Sequence, residues 1–392
     1  MSESSIAIGG GGIAGLAAAL LLAKAGRNIV VHERAAAFSE VGAGLQLSPN
    51  AGRILDSLGL GPALDAAAIR PVAIEMRAAA SGRLIVSLPL ERAALRYGAP
   101  YRLLHRAELL AVLLEAVAAD PRITVRTAAP LAAVEADGDG VRFLSAGTAE
   151  RADLLIGADG VRSAIRVHLG GKAARPTGRT AWRTTIAAEM APRPLPRDRV
   201  TVFLGERTHV VVYPVSAGRA INVVTILEED WRDEGWNAPG DADALAARFS
   251  GAADSLLALI AAAREGSGWT RWCLCDVDAR GPWQRGRIAL VGDAAHAMLP
   301  FLAQGAAMAI EDAAILARFI AKPDLPADIA LQRYVAHRRP RAARVAEAAR
   351  RSGALYHLGS LAAPLRDAAM RALGGDRLLQ RYDWLYGWTA AD

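Results

Sequence analysis

Cysteine is almost absent from this chain, which holds two in 392 residues, Cys273 and Cys275. They lie two apart in WCLCD, where a strand would direct both side chains to one face without good disulfide geometry. A small domain held together by disulfides is therefore excluded. The simpler expectation is a reducing, cytoplasmic compartment.

The chain also lacks a convincing hydrophobic run. Residues 6–23 carry no charge, but the stretch holds Gly9 to Gly12 and Gly15, and no Lys or Arg precedes it. It is neither a signal peptide nor a membrane span. A second run, 294–310, contains His296, Pro300 and Gln304 and predicts a loop that leads into a buried helix. We expect no membrane association.

A strong charge of either sign is missing as well. The chain has 46 Lys and Arg residues and 40 Asp and Glu residues, a net charge of +6. This excess can attract small anions but is too small to predict nucleic-acid binding. Hydrophobic residues make up 53% and charged residues 22%. This balance excludes a disordered chain, and the length predicts two to three packed domains.

The first 33 residues predict a βαβ unit: a strand at 6–8, a glycine-rich turn, an apolar helix to residue 25 and a strand at 29–33. The turn is Gly10-x-Gly12-x-x-Gly15, and Glu33 follows eighteen residues later. Gly10 permits the turn, Gly12 lets a pyrophosphate approach the helix N-terminus, Gly15 lets helix and strand pack, and Glu33 accepts from ribose hydroxyls. A turn without ligand is the alternative. The motif alone does not separate NAD from FAD.

The rest of the chain alternates between α/β pieces and a β-rich insertion. A hairpin is predicted at 72–78 and 83–88, and strands recur between residues 180 and 270. Another buried strand is expected at 288–291, a helix at about 305–320, and an Arg-rich helical remainder follows. One α/β nucleotide-binding domain, assembled discontinuously around a mostly antiparallel insertion, is the predicted architecture.

Two later segments identify a family. Residues 154–163 are LLIGADGVRS, and residues 290–313 begin LVGDAAH and continue MLPFLAQGAAMAIEDA from residue 298. In this order, with the glycine-rich turn, they resemble the DG and GD motifs of single-component FAD-dependent aromatic hydroxylases, a family that includes salicylate hydroxylase and 3-hydroxybenzoate 6-hydroxylase. The resemblance covers about residues 5–350. It implies the p-hydroxybenzoate hydroxylase fold, with a Rossmann-like FAD-binding domain, an inserted antiparallel β substrate domain and a C-terminal helical tail.

The resemblance assigns cofactor residues. Asp293 would accept from a ribityl hydroxyl, and Gly305 begins a helix whose N–H groups would face the flavin. Asp159 and Gly160 would serve FAD and pyridine nucleotide, although Asp-Gly is also a plain turn signal. The segment 41–50, VGAGLQLSPN, resembles the loop beside the isoalloxazine. The remaining cofactor-binding candidates are Ala14, Arg34, Gly44, Gln46, Arg106 and Pro300.

Candidate catalytic residues come from a strand. Alternation in 209–214, HVVVYP, puts His209, Val211 and Tyr213 on one face. In the hydroxylases, a His and a Tyr at matching positions orient or deprotonate the substrate phenol; a buried His and a packing Tyr without catalytic role are the alternative. Gln304 is a further candidate for a substrate hydrogen bond. The sequence leaves open whether Arg183 meets substrate or FAD.

The resemblance implies a complete activity. NADH or NADPH reduces FAD, O2 adds, and a flavin hydroperoxide hydroxylates a small electron-rich aromatic ring of the salicylate or hydroxybenzoate kind. The pyridine nucleotide is expected to bind transiently, because no second glycine-rich βαβ unit follows the first. Three alternatives stay open: hydroxylation of an N-heterocycle such as a pyridine carboxylate, epoxidation, and a non-catalytic nucleotide-binding regulator. A halogenase is disfavoured, because residues 269–274 lack the Ile-Pro of the halogenase segment.

The predicted division assigns residues 1–71, 96–178 and 271–345 to the FAD domain and 72–95 and 179–270 to the substrate domain, with 346–392 as a C-terminal helical segment. No metal site is expected, and a homodimer is left open. Two C-terminal features are expected to have no site role. A solvated helix face is predicted for Arg333, Arg338, Arg339, Arg341, Arg344, Arg350 and Arg351, and an apolar cap or dimer contact for Tyr382, Trp384, Tyr386 and Trp388.

Overall fold

A computed structural model describes residues 5–38, 43–193, 195–265, 268–359 and 361–391. The strands are β1 (Ser5–Gly9), β2 (Asn28–His32), β3 (Gly44–Leu47), β4 (Ala73–Ala78), β5 (Leu84–Pro89), β6 (Arg102–His105), β7 (Ile123–Arg126), β8 (Leu131–Ala136), β9 (Val141–Ser145), β10 (Thr148–Ala152), β11 (Leu154–Gly157), β12 (Arg175–Ala187), β13 (Val200–Gly205), β14 (Thr208–Val215), β15 (Ala220–Glu228), β16 (Asn237–Gly240), β17 (Trp269–Asp276), β18 (Gln284–Arg285) and β19 (Ile288–Leu290).

The helices are α1 (Ile13–Lys24), α2 (Pro49–Ser57), α3 (Gly61–Ala67), α4 (Ala93–Tyr97), α5 (Arg106–Ala119), α6 (Ala164–His168), α7 (Ala242–Arg248), α8 (Asp254–Glu265), α9 (Asp293–His296), α10 (Gly305–Ile320), α11 (Ala327–Tyr356), α12 (Ala363–Gln380) and α13 (Asp383–Tyr386). Three short 3₁₀ turns cover Ala188–Met190, Ser216–Gly218 and Pro300–Leu302.

The first sheet is the nucleotide-binding scaffold that the glycine-rich turn predicts. Its order is β18-β19-β11-β1-β2-β7, and its strands are parallel apart from β18. β1 pairs with β11 through Ile6 and Leu154, and β11 pairs with β19 through Leu155 and Ile288. Helix α1 is apolar almost all round because it is packed between this sheet, α5 and α10. The sheet thus takes its strands from separated parts of the chain, while the division into domains stays a prediction.

The second sheet has eight strands in the order β16-β17-β12-β15-β14-β13-β4-β5. The hairpin β4–β5 joins it through a parallel pairing of β4 with β13, in which Ile74 lies opposite Val200. The other pairings are antiparallel, as the alternating segments predict. One face packs on α8 through residues such as Val210 and Val212, and the other face turns toward the first sheet.

Two small sheets complete the fold. β10-β9-β8 is an antiparallel meander, and β3 pairs with β6 so that Gln46 lies opposite Leu103. This pairing places β3 between the two large sheets, where Gly44 donates its N–H to the Asn222 side chain of β15 at 2.6 Å. The loop that the sequence assigns to the isoalloxazine is thereby fixed against the second sheet. Its residues Val41 and Gly42 lie outside the described residues.

The predicted solvated face of the Arg-rich helix is wrong for Arg338 and Arg341. The Arg338 side chain is fully buried in α11 and lies 2.7 Å from both Glu311 and Asp312 of α10. Arg341 pairs with Glu311 at 2.6 Å, and the Trp388 ring covers both guanidinium groups, 5.1 and 4.7 Å from its centroid. An arginine of α11 is buried where it pairs with an acidic residue of α10, and the spacing of residues within α11 alone cannot show this.

The C-terminal aromatic residues have two kinds of surroundings. Tyr382 and Tyr386 pack on the apolar core, as the predicted apolar cap requires, whereas Trp384 and Trp388 also cover arginines of α11, which the sequence did not predict. Trp384 lies 3.9 Å from the Arg344 guanidinium by the same cation–π geometry as Trp388. Arg350 and Arg351 remain exposed, as predicted. Across the described ranges, no helix combines the length and apolar character that crossing a membrane requires.

Candidate active site

One cavity of about 620 Å³ lies at the carboxyl ends of β1, β11 and β19 and extends to the facing side of the eight-stranded sheet. Parallel sheets bind ligands at this edge, because each strand is followed there by a loop that can present backbone and side-chain groups. The cavity reaches from the glycine-rich turn to β14. Its lining residues thus belong to two different ends, one at the turn and one at β14.

The glycine-rich turn has the geometry that its spacing predicts. Gly10 adopts φ +113°, and a Cβ there would lie 2.4 Å from the Ala158 carbonyl oxygen. A Cβ on Gly15 would lie 1.9 Å from the Gly10 carbonyl oxygen, so Gly15 is needed for packing and does not line the cavity. A Cβ on Gly12 would meet nothing within 4 Å. Gly10, Gly12 and Ala14 line the cavity where helix α1 begins.

Glu33 lies at the same end and ties the turn to β2. Its Oε2 accepts from the Gly11 N–H at 2.7 Å, and its Oε1 accepts from the Ala35 N–H at 2.8 Å. A carboxylate oxygen has further lone pairs, so hydroxyl donors can still reach it from the cavity. Arg34 is exposed and lines the same region.

Two aspartates face the middle of the cavity. Asp159 Oδ2 accepts from the Ile165 N–H at 3.2 Å, while its Oδ1 is buried without a hydrogen-bond partner in the described part of the chain. Asp293 begins α9 after the left-handed Gly292 and lines the cavity with Gly160. A buried acceptor without a donor is costly unless a ligand supplies one. The buried Asp159 oxygen therefore suits a hydroxyl donor of a ligand such as the ribityl chain, and the exposed Asp293 carboxylate can accept from another hydroxyl.

Helix α10 directs its N-terminus at the cavity. Pro300, Ala303 and Gly305 line this wall, and Ala303 adopts a left-handed φ of +52° that turns the chain into the helix. The first N–H groups of a helix have no intrahelical partner and carry partial positive charge. This end can stabilise negative charge on a bound ring system, as the resemblance implies for Gly305.

Gln304 is not brought to the cavity. Its side chain is buried, its Nε2 donates to Ser48 Oγ at 2.9 Å, and its Oε1 accepts from Asn50 Nδ2 at 3.2 Å. Asn50 also donates to Glu311 Oε1 at 2.7 Å. The side chain thus joins a polar network beneath the start of α10, where it has no surface for a substrate.

The remaining cofactor candidates lie opposite α10. Gly44, Gln46 and Arg106 line the cavity from β3 and the start of α5. A Cβ on Gly44 would lie 2.6 Å from the Tyr213 ring, so this glycine lets β3 approach β14 closely. Gln46 accepts a hydrogen bond from the Tyr101 hydroxyl at 2.8 Å.

Strand β14 lines the end of the cavity away from the glycine-rich turn. His209, Val211 and Tyr213 all line the cavity, while Val210 and Val212 face α8, so the predicted alternation is confirmed. Burial raises the pKa of the Tyr213 phenol, which therefore stays protonated and can donate a hydrogen bond.

His209 has a partner that the sequence did not reveal. Its Nδ1 lies 2.9 Å from His357 Nε2, and His357 Nδ1 lies 3.1 Å from Glu228 Oε1. Burial, and then the neighbouring His357, hold the pKa of His209 well below its ordinary value. His209 is therefore a neutral imidazole at neutral pH.

Arg183 is the second residue whose place the sequence left open. It lines the cavity from β12, with its guanidinium 5.7 Å from the centroid of the Trp272 ring. Among the described residues it forms no ion pair, and its Nε is buried without a hydrogen-bond partner. Burial lowers its pKa, with Tyr213 and Arg106 as its charged or polar neighbours. Such a guanidinium is complementary to an anionic ligand.

Comparisons with known proteins agree with this geometry. Residues 3–349 match the family model described as FAD binding domain. The chain is 40% identical over 389 residues to 3-amino-4-hydroxybenzoate 2-monooxygenase of Streptomyces platensis, covering 98% of this chain and 96% of that protein. It is 33% identical to 3-hydroxybenzoate 6-hydroxylase of Klebsiella oxytoca, covering 97% and 95%. A salicylate hydroxylase substrate complex superposes with a TM-score of 0.84 at 27% identity, covering 100% and 97%.

These likenesses span almost the whole chain, and they include enzymes as well as an FAD-binding fold. They confirm the predicted fold class, the cofactor FAD and an oxidoreductase of the monooxygenase type, against the non-catalytic alternative. The chain belongs to the FAD-binding family of single-component aromatic monooxygenases.

Proposed function

We propose that this enzyme hydroxylates a phenol that carries a carboxylate, a hydroxybenzoate in the broad sense. The observation that carries the proposal is Arg183, a partly buried arginine in the cavity wall. Its Nε is buried without a hydrogen-bond partner, and the residue has no carboxylate partner in the described ranges. A carboxylate on the substrate would supply the missing counter-charge. The ring would then extend toward Tyr213 and His209.

The cofactor end is proposed from the cavity lining. Gly12 and the start of α1 would receive the pyrophosphate, Glu33 the ribose, and Asp293 and Asp159 the ribityl hydroxyls. Bound FAD supplies the oxidation–reduction chemistry, with a reduced pyridine nucleotide and O2 as co-substrates. The protein contributes a largely apolar cavity, a helix N-terminus and polar groups that aim the ring.

The substrate end has a base and a donor. His209 is neutral, so it can accept the phenol proton and make the ring more electron-rich. Tyr213 stays protonated and can donate to a substrate oxygen. Gln304 is not assigned a role at the substrate, because its amide is held by Ser48 and Asn50.

The hydroxybenzoate assignment fits the relatives better than an N-heterocycle, because the names of two relatives that match nearly full length specify hydroxybenzoates. We also propose the division into an FAD domain (1–71, 96–178, 271–345), a substrate domain (72–95, 179–270) and a helical segment (346–392). A cytoplasmic location, transient pyridine-nucleotide binding on the FAD domain and a homodimer complete the proposal.

The test is NADH and NADPH oxidation in air by the FAD-loaded enzyme, with peroxide assayed alongside. Matched pairs such as 3-hydroxybenzoate and 3-hydroxybenzyl alcohol differ only in the carboxylate. We expect the acids to accelerate oxidation without equivalent peroxide and the alcohols to do so poorly. Equal stimulation by both members of a pair would overturn the carboxylate assignment.

A variant sharpens the test. Arg183→Gln should raise KM for the acid about tenfold to a hundredfold, the worth of a charge-assisted hydrogen bond, and leave the response to the alcohol unchanged. Arg175→Gln, at an exposed position on the same strand, is the matched control. Loss of response to both ligands together would instead make Arg183 part of the flavin site.

A further inference from the structure

Three titratable side chains from distant parts of the chain form a continuous line out of the cavity. His209 lies on β14, His357 directly follows α11, and Glu228 ends β15. The two contacts are 2.9 Å between the imidazoles and 3.1 Å between His357 and the carboxylate. The side chain of His357 is 3% exposed and that of Glu228 is 26% exposed, so the line runs from the interior to solvent.

The direction of the hydrogen bonds follows from Glu228. An ionised carboxylate only accepts, so His357 Nδ1 must carry a proton and donate it. In a neutral His357, Nε2 then has the lone pair and accepts from His209 Nδ1. This leaves the lone pair of His209 on Nε2, the nitrogen not used by the line. Glu228 thus fixes both tautomers and makes His209 a base.

Of the three side chains, His209, His357 and Glu228, the negatively charged one, Glu228, lies nearest to solvent. Although burial opposes it, the hydrogen bond from His357 lowers the pKa of Glu228, assisted by Arg179 at 3.1 Å; Arg207 lies 3.4 Å away. The groups around His209 are the rings of Phe301 and Tyr356, with centroids 5.4 and 5.5 Å away. A positive charge is therefore costly on His209. Burial also lowers the pKa of His357, but there the hydrogen bond to the Glu228 carboxylate opposes the shift, so a proton is held more easily on His357 than on His209.

We propose that His357 and Glu228 form a proton relay that draws the substrate proton out of the cavity through His209. The proposal rests on the proposed function, because it needs a phenol at His209. It assigns His357 and Glu228 as positioning residues that act through His209 and do not touch the substrate.

The proton balance is simple. The phenol O–H bond breaks and its proton joins His209 Nε2, while the proton on His209 Nδ1 passes to His357 Nε2. The phenolate is then balanced by an imidazolium on His357, whose Nδ1 proton faces the Glu228 carboxylate. His209 is neutral at the end of the step, so no net positive charge remains in the cavity. Solvent removes the proton through Glu228. The tautomers are restored when a solvent proton returns through Glu228 and His357 to His209 Nδ1 while His209 Nε2 gives its proton back to the phenolate oxygen of the product.

The first experiment uses His357→Phe, which keeps a ring against Phe301 and removes both nitrogens, and Glu228→Gln, which keeps an acceptor and removes the charge. We expect kcat with 3-hydroxybenzoate to fall about tenfold or more in the first variant, within the range of general-base catalysis, and less in the second. KM should change little. His337→Phe, which lies against Phe319 away from the cavity, is the matched control.

A double variant separates a relay from a packing role. If His357 acts only through His209, then His209→Gln and His209→Gln/His357→Phe should have equal kcat. Losses that multiply would overturn the relay. The FAD content and melting temperature of each variant identify a fold defect, and Glu228→Gln at a partly exposed site keeps the test valid if His357→Phe does not fold.

A second readout does not depend on turnover. 4-Hydroxy-3-nitrobenzoate is a hydroxybenzoate whose phenolate absorbs in the visible, so its ionisation can be titrated while bound to the FAD-loaded enzyme. We expect its phenol pKa to rise by about one unit or more in His357→Phe, since a compensated acceptor is lost. An unchanged bound pKa would overturn the relay. Failure of the probe to bind at all, even to the wild-type enzyme, would count against the proposed substrate class and remove the basis of the relay.

Discussion

The Gln304 amide donates to the Ser48 hydroxyl at 2.9 Å, across a separation of 256 residues. This contact, with the one from Asn50, joins the segment after β3 to the N-terminus of α10. Two walls of the cavity are thus fixed relative to each other by one side chain. The role of Gln304 in this structure is to position α10.

Gln304→Met should therefore destabilise the fold before it alters substrate choice. Ser48 and Asn50 would lose a buried partner, which costs about 1–3 kcal/mol of the free energy of unfolding. Urea unfolding measures the loss, and Gln284→Met at the sheet edge is the control. A stable variant with a changed hydroxylation position would instead show that Gln304 contacts the substrate.

Asp293→Ala should reduce FAD retention. The substitution removes a cavity-lining carboxylate at the start of α9 that can accept from ribityl hydroxyls. The ratio of FAD absorbance to protein after gel filtration measures retention, and Asp324→Ala, at an exposed position, is the comparison. A variant that purifies with a full flavin complement contradicts the assignment.

His209→Ala combined with Tyr213→Phe should uncouple the reaction. Without a base and a phenolic donor at the substrate end, NADH is still consumed but peroxide replaces hydroxylated product. Product and peroxide are quantified against NADH consumed. Undiminished coupling would move the catalytic groups elsewhere along the cavity.

The free energy of unfolding should decrease as the pH falls below about 6.5. Burial, together with His357, lowers the pKa of His209 from its ordinary 6.5, and burial likewise lowers that of His32. The unfolded chain then binds more protons than the folded chain, so acid favours unfolding. Each such histidine contributes a slope of up to about 1.4 kcal/mol per pH unit.

The measurement is urea unfolding at several pH values from 7.5 to 5.5. His209→Gln should make the dependence shallower, since one buried imidazole no longer resists protonation. A dependence that is identical in the variant would mean that His209 is protonated as easily in the folded protein as in the unfolded chain.

The sequence predicts the parts of this site that depend on local pattern. The turn at Gly10–Gly15, the strand face of His209 and Tyr213, and helix α10 each follow from residues a few positions apart. His357 could not be found in this way, because its partner His209 is 148 residues away and a lone histidine at a helix end carries no signal. The same holds for Gln304, whose side-chain direction is set by Ser48.

The sequence also could not predict which charged residues are buried. Arg338 and Arg350 are both arginines on one helix, yet Arg338 is fully buried and Arg350 is half exposed. The difference comes from Glu311 and Asp312 on α10, which only the packing of the two helices brings near. The hydrophobic periodicity of a helix depends only on its own residues, so it cannot predict which of them will meet acidic residues of another helix.

The strand order has a consequence for synthesis of the chain. β1 hydrogen-bonds to β11, and β11 to β19 near residue 288, so the first sheet lacks its last strands until about three quarters of the chain has been made. At about 5–20 residues per second, β11 then waits on the order of ten seconds with an unpaired edge until β19 has been made. Newly made enzyme should therefore depend on chaperones, and its yield should improve when more chaperone is supplied.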